Sequence, residues 1–152
     1  MPRAVLGNMK PALVLLAVLA LAGCGSSTEE PAGVAEGPPP LEQAENGSLT
    51  LYVSNQSVER GDVDILVFID GRPAVDDDFA VESQHNWIEF TFDLEDGMHT
   101  LYAESMAGEA VLEETFEMAG KRWAVVDYWC CASTQDEPKF SFHISAEPIG
   151  FA

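Results

Sequence analysis

Trp87-Ile-Glu-Phe-Thr-Phe-Asp-Leu-Glu-Asp-Gly-Met-His-Thr-Leu-Tyr-Ala103 is the stretch on which the fold turns. Ile88, Phe90, Phe92 and Leu94 alternate with Glu89, Thr91 and Asp93, the period-two pattern of a strand with one face buried. Glu95-Asp96-Gly97 then provides turn residues, and Met98 to Ala103 reads as the returning strand of a hairpin.

The same pattern extends in both directions. Upstream, Leu49, Leu51 and Val53 alternate with polar groups between Ser48 and Ser54. Val63 to Ile69 is apolar on both faces beyond Ile65, which predicts a central strand, and Asp70-Gly71 predicts a tight turn after it. Pro73-Ala74-Val75 begins a short return strand that Asp76-Asp77-Asp78 is expected to interrupt. Downstream, Ala110 to Met118 and Trp123 toward Cys130 read as another hairpin, turning through Ala119-Gly120-Lys121. The composition of Glu109 to Met118 also suits a short helix, but the glycine turn and the Val-rich run after it favour a strand. Phe140, Phe142 and Ile144 alternate in a last strand from Pro138 to Ala146, and Pro148 ends the pairing.

Seven or eight short strands in residues 48–152, with no capped helical stripe, predict an all-β fold: a single antiparallel β-sandwich. Gly97-Met-His-Thr-Leu-Tyr-Ala103 resembles a strand common in bacterial Ig-like modules, which often show G-x-H-T-L-x-A. That resemblance implies an Ig-like sandwich, here without a disulfide between sheets, because the two cysteines of the head are adjacent.

The formal net charge of the 152 residues is -19. All 26 acidic residues follow position 23, where only five basic residues remain, so a chain cut there carries -21. Such a surface repels phosphate backbones and disfavours nucleic-acid binding. It offers no attraction to anionic headgroups, so membrane contact requires a hydrophobic anchor. Cationic ligands, metal ions and basic partners are compatible with it.

An anchor is written at the amino end. Arg3 and Lys10 precede an unbroken apolar run from Ala12 to Ala22. Eleven helical residues rise about 16 Å, half of a hydrocarbon core of roughly 30 Å, so the run reads as a cleaved export signal. Leu21-Ala22-Gly23-Cys24 resembles the lipobox of bacterial lipoproteins. The resemblance implies a diacylglyceryl group on the Cys24 sulfur, cleavage between Gly23 and Cys24, and often acylation of the new amino terminus with a fatty acid such as palmitate. Two or three acyl chains hold a protein at a membrane where one would not. Ala20-Leu21-Ala22 also fits ordinary signal cleavage, which would release a soluble protein. In Gram-negative families an Asp after the cysteine retains lipoproteins at the inner membrane. Gly25 stands there instead, pointing to the outer membrane, facing the periplasm. Residues 24–47, rich in Gly, Pro and Glu, read as a flexible linker of about 25 Å that holds the head clear of the lipid.

Chemistry-bearing residues in the head are few. Cys130 and Cys131 sit within about 3.8 Å at Cα, below the range of about 4.4–6.8 Å usual for disulfides. Export places them in an oxidising compartment. A structural vicinal disulfide is the leading expectation; inert thiols, a metal site, a redox role and an intermolecular bond are the alternatives. A soft-metal site would draw on Cys130, Cys131, Met98, His99 and His143, yet no short ligand spacing links them. Asp76-Asp77-Asp78, with Asp62, Asp64 and Asp70, offers oxygens for Ca²⁺ but matches no EF-hand spacing. Trp87, Trp123, Tyr128 and Trp129 suit either a stacking platform or core packing, and core packing is expected. No G-x-S-x-G or phosphate cradle occurs. The expectation is therefore a membrane-anchored, non-catalytic interaction or accessory domain with an envelope protein as partner and no cofactor. A carrier of a ligand or metal is the alternative.

Overall fold

The computed structural model describes residues 37–81, 86–133 and 136–151. The export signal, Cys24 and the linker up to residue 36 lie outside the described residues.

The head is all-β, with eight strands and no helix among the described residues. The strands are β1 (Leu49–Asn55), β2 (Asp62–Ile69), β3 (Arg72–Ala80), β4 (Ile88–Phe92), β5 (Gly97–Ser105), β6 (Ala110–Met118), β7 (Arg122–Trp129) and β8 (Lys139–Ser145). They form two four-stranded sheets in the orders β4-β1-β7-β8 and β3-β2-β5-β6. Pairing is antiparallel except between β1 and β7, which run parallel with Leu49 opposite Arg122 and Asn55 opposite Tyr128.

The inner faces enclose one core. β1 contributes Leu49, Leu51 and Val53, and β2 contributes Val63, Ile65, Val67 and Ile69. Leu101 and Ala103 of β5 join them with Ala124, Val126 and Tyr128 of β7. Each of these strands places every second residue inward, and in β1 the outward Thr50, Ser54 and the adjoining Asn55 are buried as well. β2 is central, as predicted, and Asp70 and Gly71 take left-handed φ values of 52° and 73° in the turn that joins it to β3.

Three expectations are corrected. β3 does not stop at the acidic run: Asp76, Asp77 and Asp78 pair with Leu66, Ile65 and Asp64. A ladder needs only extended backbone, and on an edge strand the carboxylates reach water. The segment from Trp87 to Ala103 is not a hairpin, because β4 pairs with β1 in one sheet and β5 with β2 and β6 in the other. β6 and β7 are likewise split between sheets. The hairpin of this region is β5–β6, closed through residues 106–109. Glycine turns reverse the chain, but they do not choose between hydrogen bonding beside the previous strand and stacking across from it.

The linker's final residues bind the head. Leu41 N–H donates to the carbonyl of Pro73 and Ala44 N–H to that of Thr91, while the Arg72 guanidinium donates to the carbonyls of Pro39 and Pro40. Gln43 bridges to Phe92 and covers part of the free edge of β4.

The β5–β6 turn is braced from both sheets. Asp64 accepts from Ser105 Oγ (3.0 Å), Met106 N (3.0 Å) and Ala107 N (2.8 Å). Burial would raise the Asp64 pKa, but these donors prevail and hold it below the usual carboxylate value. Arg60 binds the Ala107 carbonyl and Glu109, and the Tyr128 hydroxyl donates to the Gly108 carbonyl at 2.9 Å.

Candidate functional site

β7 has two apolar faces, and the structure turns the Ala124, Val126 and Tyr128 set inward. Trp123, Val125, Asp127 and Trp129 therefore occupy the outer face of the sheet, opposite Ser145, His143, Ser141 and Lys139 of β8. Of the aromatics expected in the core, Tyr128 is there and Trp87, Trp123 and Trp129 are not. Shared polar and covering groups make this outer placement stable. Trp87 Nε1 and Ser54 Oγ both donate to Asp127 Oδ1, at 2.9 and 2.6 Å, and Gln56 Nε2 donates to Ser54 Oγ. The Trp87 ring stacks on Phe151 at 4.0 Å, and Phe151 meets Tyr52 edge-on. The Lys121 ammonium lies 5.5 Å from the Trp123 ring centre.

Trp129 differs from these two. It is 42% exposed, stacks on no other ring among the described residues, and is fixed by a 2.9 Å hydrogen bond from Nε1 to Ser141 Oγ. It stands at the end of β7, where the β1 ladder continues past its last strand residue: Gln56 N–H donates to the Tyr128 carbonyl and Val58 N–H to that of Cys130. This continuation brings Gln56 and Val58 alongside Trp129, Cys130 and Cys131, with Ala132 and Ser141 close by. The result is an open groove of about 1010 Å³. Asp136, Glu137 and Lys139 form its charged margin. No local sequence motif announces it, because Val58 and Cys130 are brought together only by the β1–β7 pairing.

Cys130 and Cys131 are bonded to each other in the groove wall. Cys130 is buried with the core and Cys131 is half-buried, at a left-handed φ of 68° that side chains other than glycine's seldom adopt. Sulfurs joined in this way are not thiolates, so in this state they are poor soft-metal ligands.

The other candidates are dispersed. His99 Nδ1 pairs with Asp70 Oδ2 at 2.7 Å, its Nε2 meets the Glu95 carbonyl, and its ring lies against Phe116. Burial alone would lower the His99 pKa, but these partners hold it above the ordinary value. Asp70, which also accepts from Thr100 N–H, is held below its own against the same desolvation. His143 is on the exposed face of β8, and Met98 is exposed on β5. Asp76 and Asp78 point to one face of β3 and Asp77 to the other, while Asp64 and Asp70 are committed to backbone donors. Among the described residues, no three His, Cys, Asp or Glu side chains converge on a point where a metal would sit.

No protein-family model, curated protein or solved structure matches the chain.

Proposed function

We propose that this chain is a lipoprotein of the bacterial cell envelope, tethered through lipid on Cys24, whose β-sandwich head is a non-catalytic interaction domain. In a Gram-negative cell it is carried by the outer membrane and faces the periplasm. The anchor is supported by the apolar run from Ala12 to Ala22 and the Leu21-Ala22-Gly23-Cys24 sequence that ends it. Two tethering elements, the lipid and a Gly/Pro/Glu segment, precede a head whose backbone pairing begins at Leu41.

The observation that carries the interaction reading is the groove beside Trp129. A large indole left open to water, in a recess and fixed by its own hydrogen bond, is surface prepared for contact. Elsewhere on that outer face Trp87 is stacked on Phe151 and Trp123 lies beside Lys121, and the β3 edge is charged. The partner is an envelope component reached from the membrane surface.

Two measurements test the two halves. Mass analysis of the amino-terminal peptide from membranes should show Cys24 as the first residue, bearing acyl chains. Cys24→Ala should then leave the chain unprocessed or free of the membrane. A mature chain starting elsewhere, or one recovered entirely in the soluble fraction, refutes the anchor. For the head, a photo-crosslinking side chain in place of Val58, which lines the groove and leaves Trp129 intact, should give adducts in intact cells, and one in place of the exposed Val111 on β6 should not. Equal labelling at both positions refutes the groove as the contact surface.

A further inference from the structure

We propose that the groove at the end of β7 is a binding site for a neutral saccharide, with the Trp129 indole as the stacking platform. This rests on the reading of the head as an interaction domain, and it does not depend on the lipid. A pyranose ring presents an apolar C–H face and a rim of hydroxyls, and it is recognised by an aromatic plane surrounded by mixed donors and acceptors. The groove has that composition. Trp129 offers an exposed ring, and its hydrogen bond to Ser141 fixes the plane before any ligand arrives, which reduces the ordering cost of binding. Val58, Ala132 and the Cys130–Cys131 disulfide add apolar wall without hydrogen-bond donors.

The polar margin decides the ligand's charge. Lys139 provides an ammonium donor, Glu137 a carboxylate acceptor and Gln56 an amide. The Gln56 Nε2 is already held by Ser54 Oγ, in a chain that ends on Asp127, so its carbonyl is oriented in advance. Asp136 is partly committed, since Oδ2 accepts from Ser133 N–H at 2.8 Å. An anionic ligand would face Asp136, Glu137 and a strongly acidic protein. A cationic one would meet Lys139, which lines the same groove. Hydroxyl groups, which both donate and accept, satisfy all of these margins at once. A groove of about 1010 Å³ has room for more than one sugar ring, so a linear oligosaccharide fits better than a monosaccharide.

The three tryptophans make the proposal separable from general surface stickiness. Trp87 is stacked on Phe151, and Trp123 lies beside the Lys121 ammonium. Only Trp129 lines the groove.

The test uses the full chain in a polyoxyethylene detergent, which carries no sugar headgroup. An array of neutral oligosaccharides of glucose, galactose, mannose and N-acetylglucosamine is screened, and hits are titrated by calorimetry. The expected result is micromolar to millimolar binding of at least one oligosaccharide with quenching of tryptophan fluorescence. Trp129→Ala should weaken it about tenfold or more, and Trp129→Phe should keep part of the affinity. Trp123→Ala, on the same face but outside the groove, should leave it unchanged. Circular dichroism and melting of Trp129→Ala should match the parent protein, because the side chain is outside the core. Absence of binding across the array at millimolar concentration overturns the proposal, as does binding that Trp129→Ala does not alter. Tetramethylammonium binding where no saccharide binds overturns it in favour of a cation site. Crosslinking from position 58 in cells, together with a silent array, would leave the interaction domain standing and remove the saccharide.

Discussion

Tyr128→Phe removes one oxygen from the centre of the head and leaves the ring in place. Tyr128 is fully buried on β7, its ring edge-on to Phe140 at 5.5 Å. Its hydroxyl donates to Gly108 in the β5–β6 turn, which belongs to the opposite sheet. Burial raises the phenol's pKa, so the group stays a donor throughout the ordinary pH range. A neutral hydrogen bond contributes about 0.5–1.5 kcal/mol net, and a buried acceptor left bare costs about 1–3 kcal/mol. Water is poorly placed to replace the donor: a methyl group on Gly108 would come within 2.4 Å of Ser105 Oγ and 2.7 Å of the Tyr128 ring. The phenylalanine ring preserves the packing, so the expected loss is the polar part alone, about 1.5–3 kcal/mol. For a folded unit of this size that lowers Tm by roughly 5–15 °C. Urea unfolding followed by far-UV circular dichroism measures the loss, and an unchanged m-value would show that the unfolded state is unaffected. Tyr102→Phe is the control. Its hydroxyl reaches Glu104 near the surface, where water replaces the lost partner, so the urea midpoint should stay close to that of the parent. If Tyr128→Phe costs no more than Tyr102→Phe, the bond to Gly108 does not tie the two sheets and the reasoning fails.

Gly47→Ala should destabilise the head by about 2 kcal/mol or more, because a Cβ there would lie 2.3 Å from the Phe92 carbonyl oxygen and 2.5 Å from its carbon; a melting curve matching the parent would refute the close approach. The His99–Asp70 pair sets a pH window. The raised His99 pKa stabilises the fold fully below the unfolded value of 6.5 and stops doing so as pH rises through the folded value. The lowered Asp70 pKa stabilises it above 3.8 and fails as pH falls through its folded value. His99→Gln should therefore narrow the difference in urea midpoint between pH 5.5 and pH 9, about one unit below and well above the histidine's range, and an undiminished difference would exclude the pair as its source. Asp77 places an exposed carboxylate on the inward side of edge strand β3, opposite Ile65. Asp77→Val should leave Tm equal or higher yet promote self-association in light scattering; a variant that stays monomeric at high concentration would show the edge is protected by something else.

Strand positions and the sandwich were legible because side chains alternate across a strand, as the buried Val63, Ile65, Val67 and Ile69 of β2 show against their half-exposed neighbours. The partners of those strands were not. Glu95-Asp96-Gly97 and Ala119-Gly120-Lys121 report reversal, and strands about 4.8 Å apart in a ladder or about 10 Å apart across a core need similar turns. The face of β7 was half legible: Trp123, Val125 and Trp129 share a side, but Ala124, Val126 and Tyr128 are as apolar. Size favours Trp as the core residue, and the structure instead covers two tryptophans with Phe151 and Lys121 and leaves the third open. Asp76-Asp77-Asp78 misled because a charge run looks like a loop until the strand beneath it is known to be an edge. The groove was invisible in the sequence since it depends on Val58 meeting Cys130 through a parallel ladder.

That parallel ladder also orders the assembly of the head in time. Sheet β3-β2-β5-β6 contains two local hairpins, β2–β3 and β5–β6, which can form as the chain emerges amino end first and are then joined through β2 and β5, with Leu66 opposite Glu104. β1 emerges before them all, yet it sits between β4 and β7, and its pairing runs from Leu49 opposite Arg122 to Asn55 opposite Tyr128. Until β7 arrives, the most buried strand of its sheet has one flank open, and the slow, long-range step of the fold is its closure. The groove lies at the far end of that same seam, so it has no walls until β7 has closed against β1.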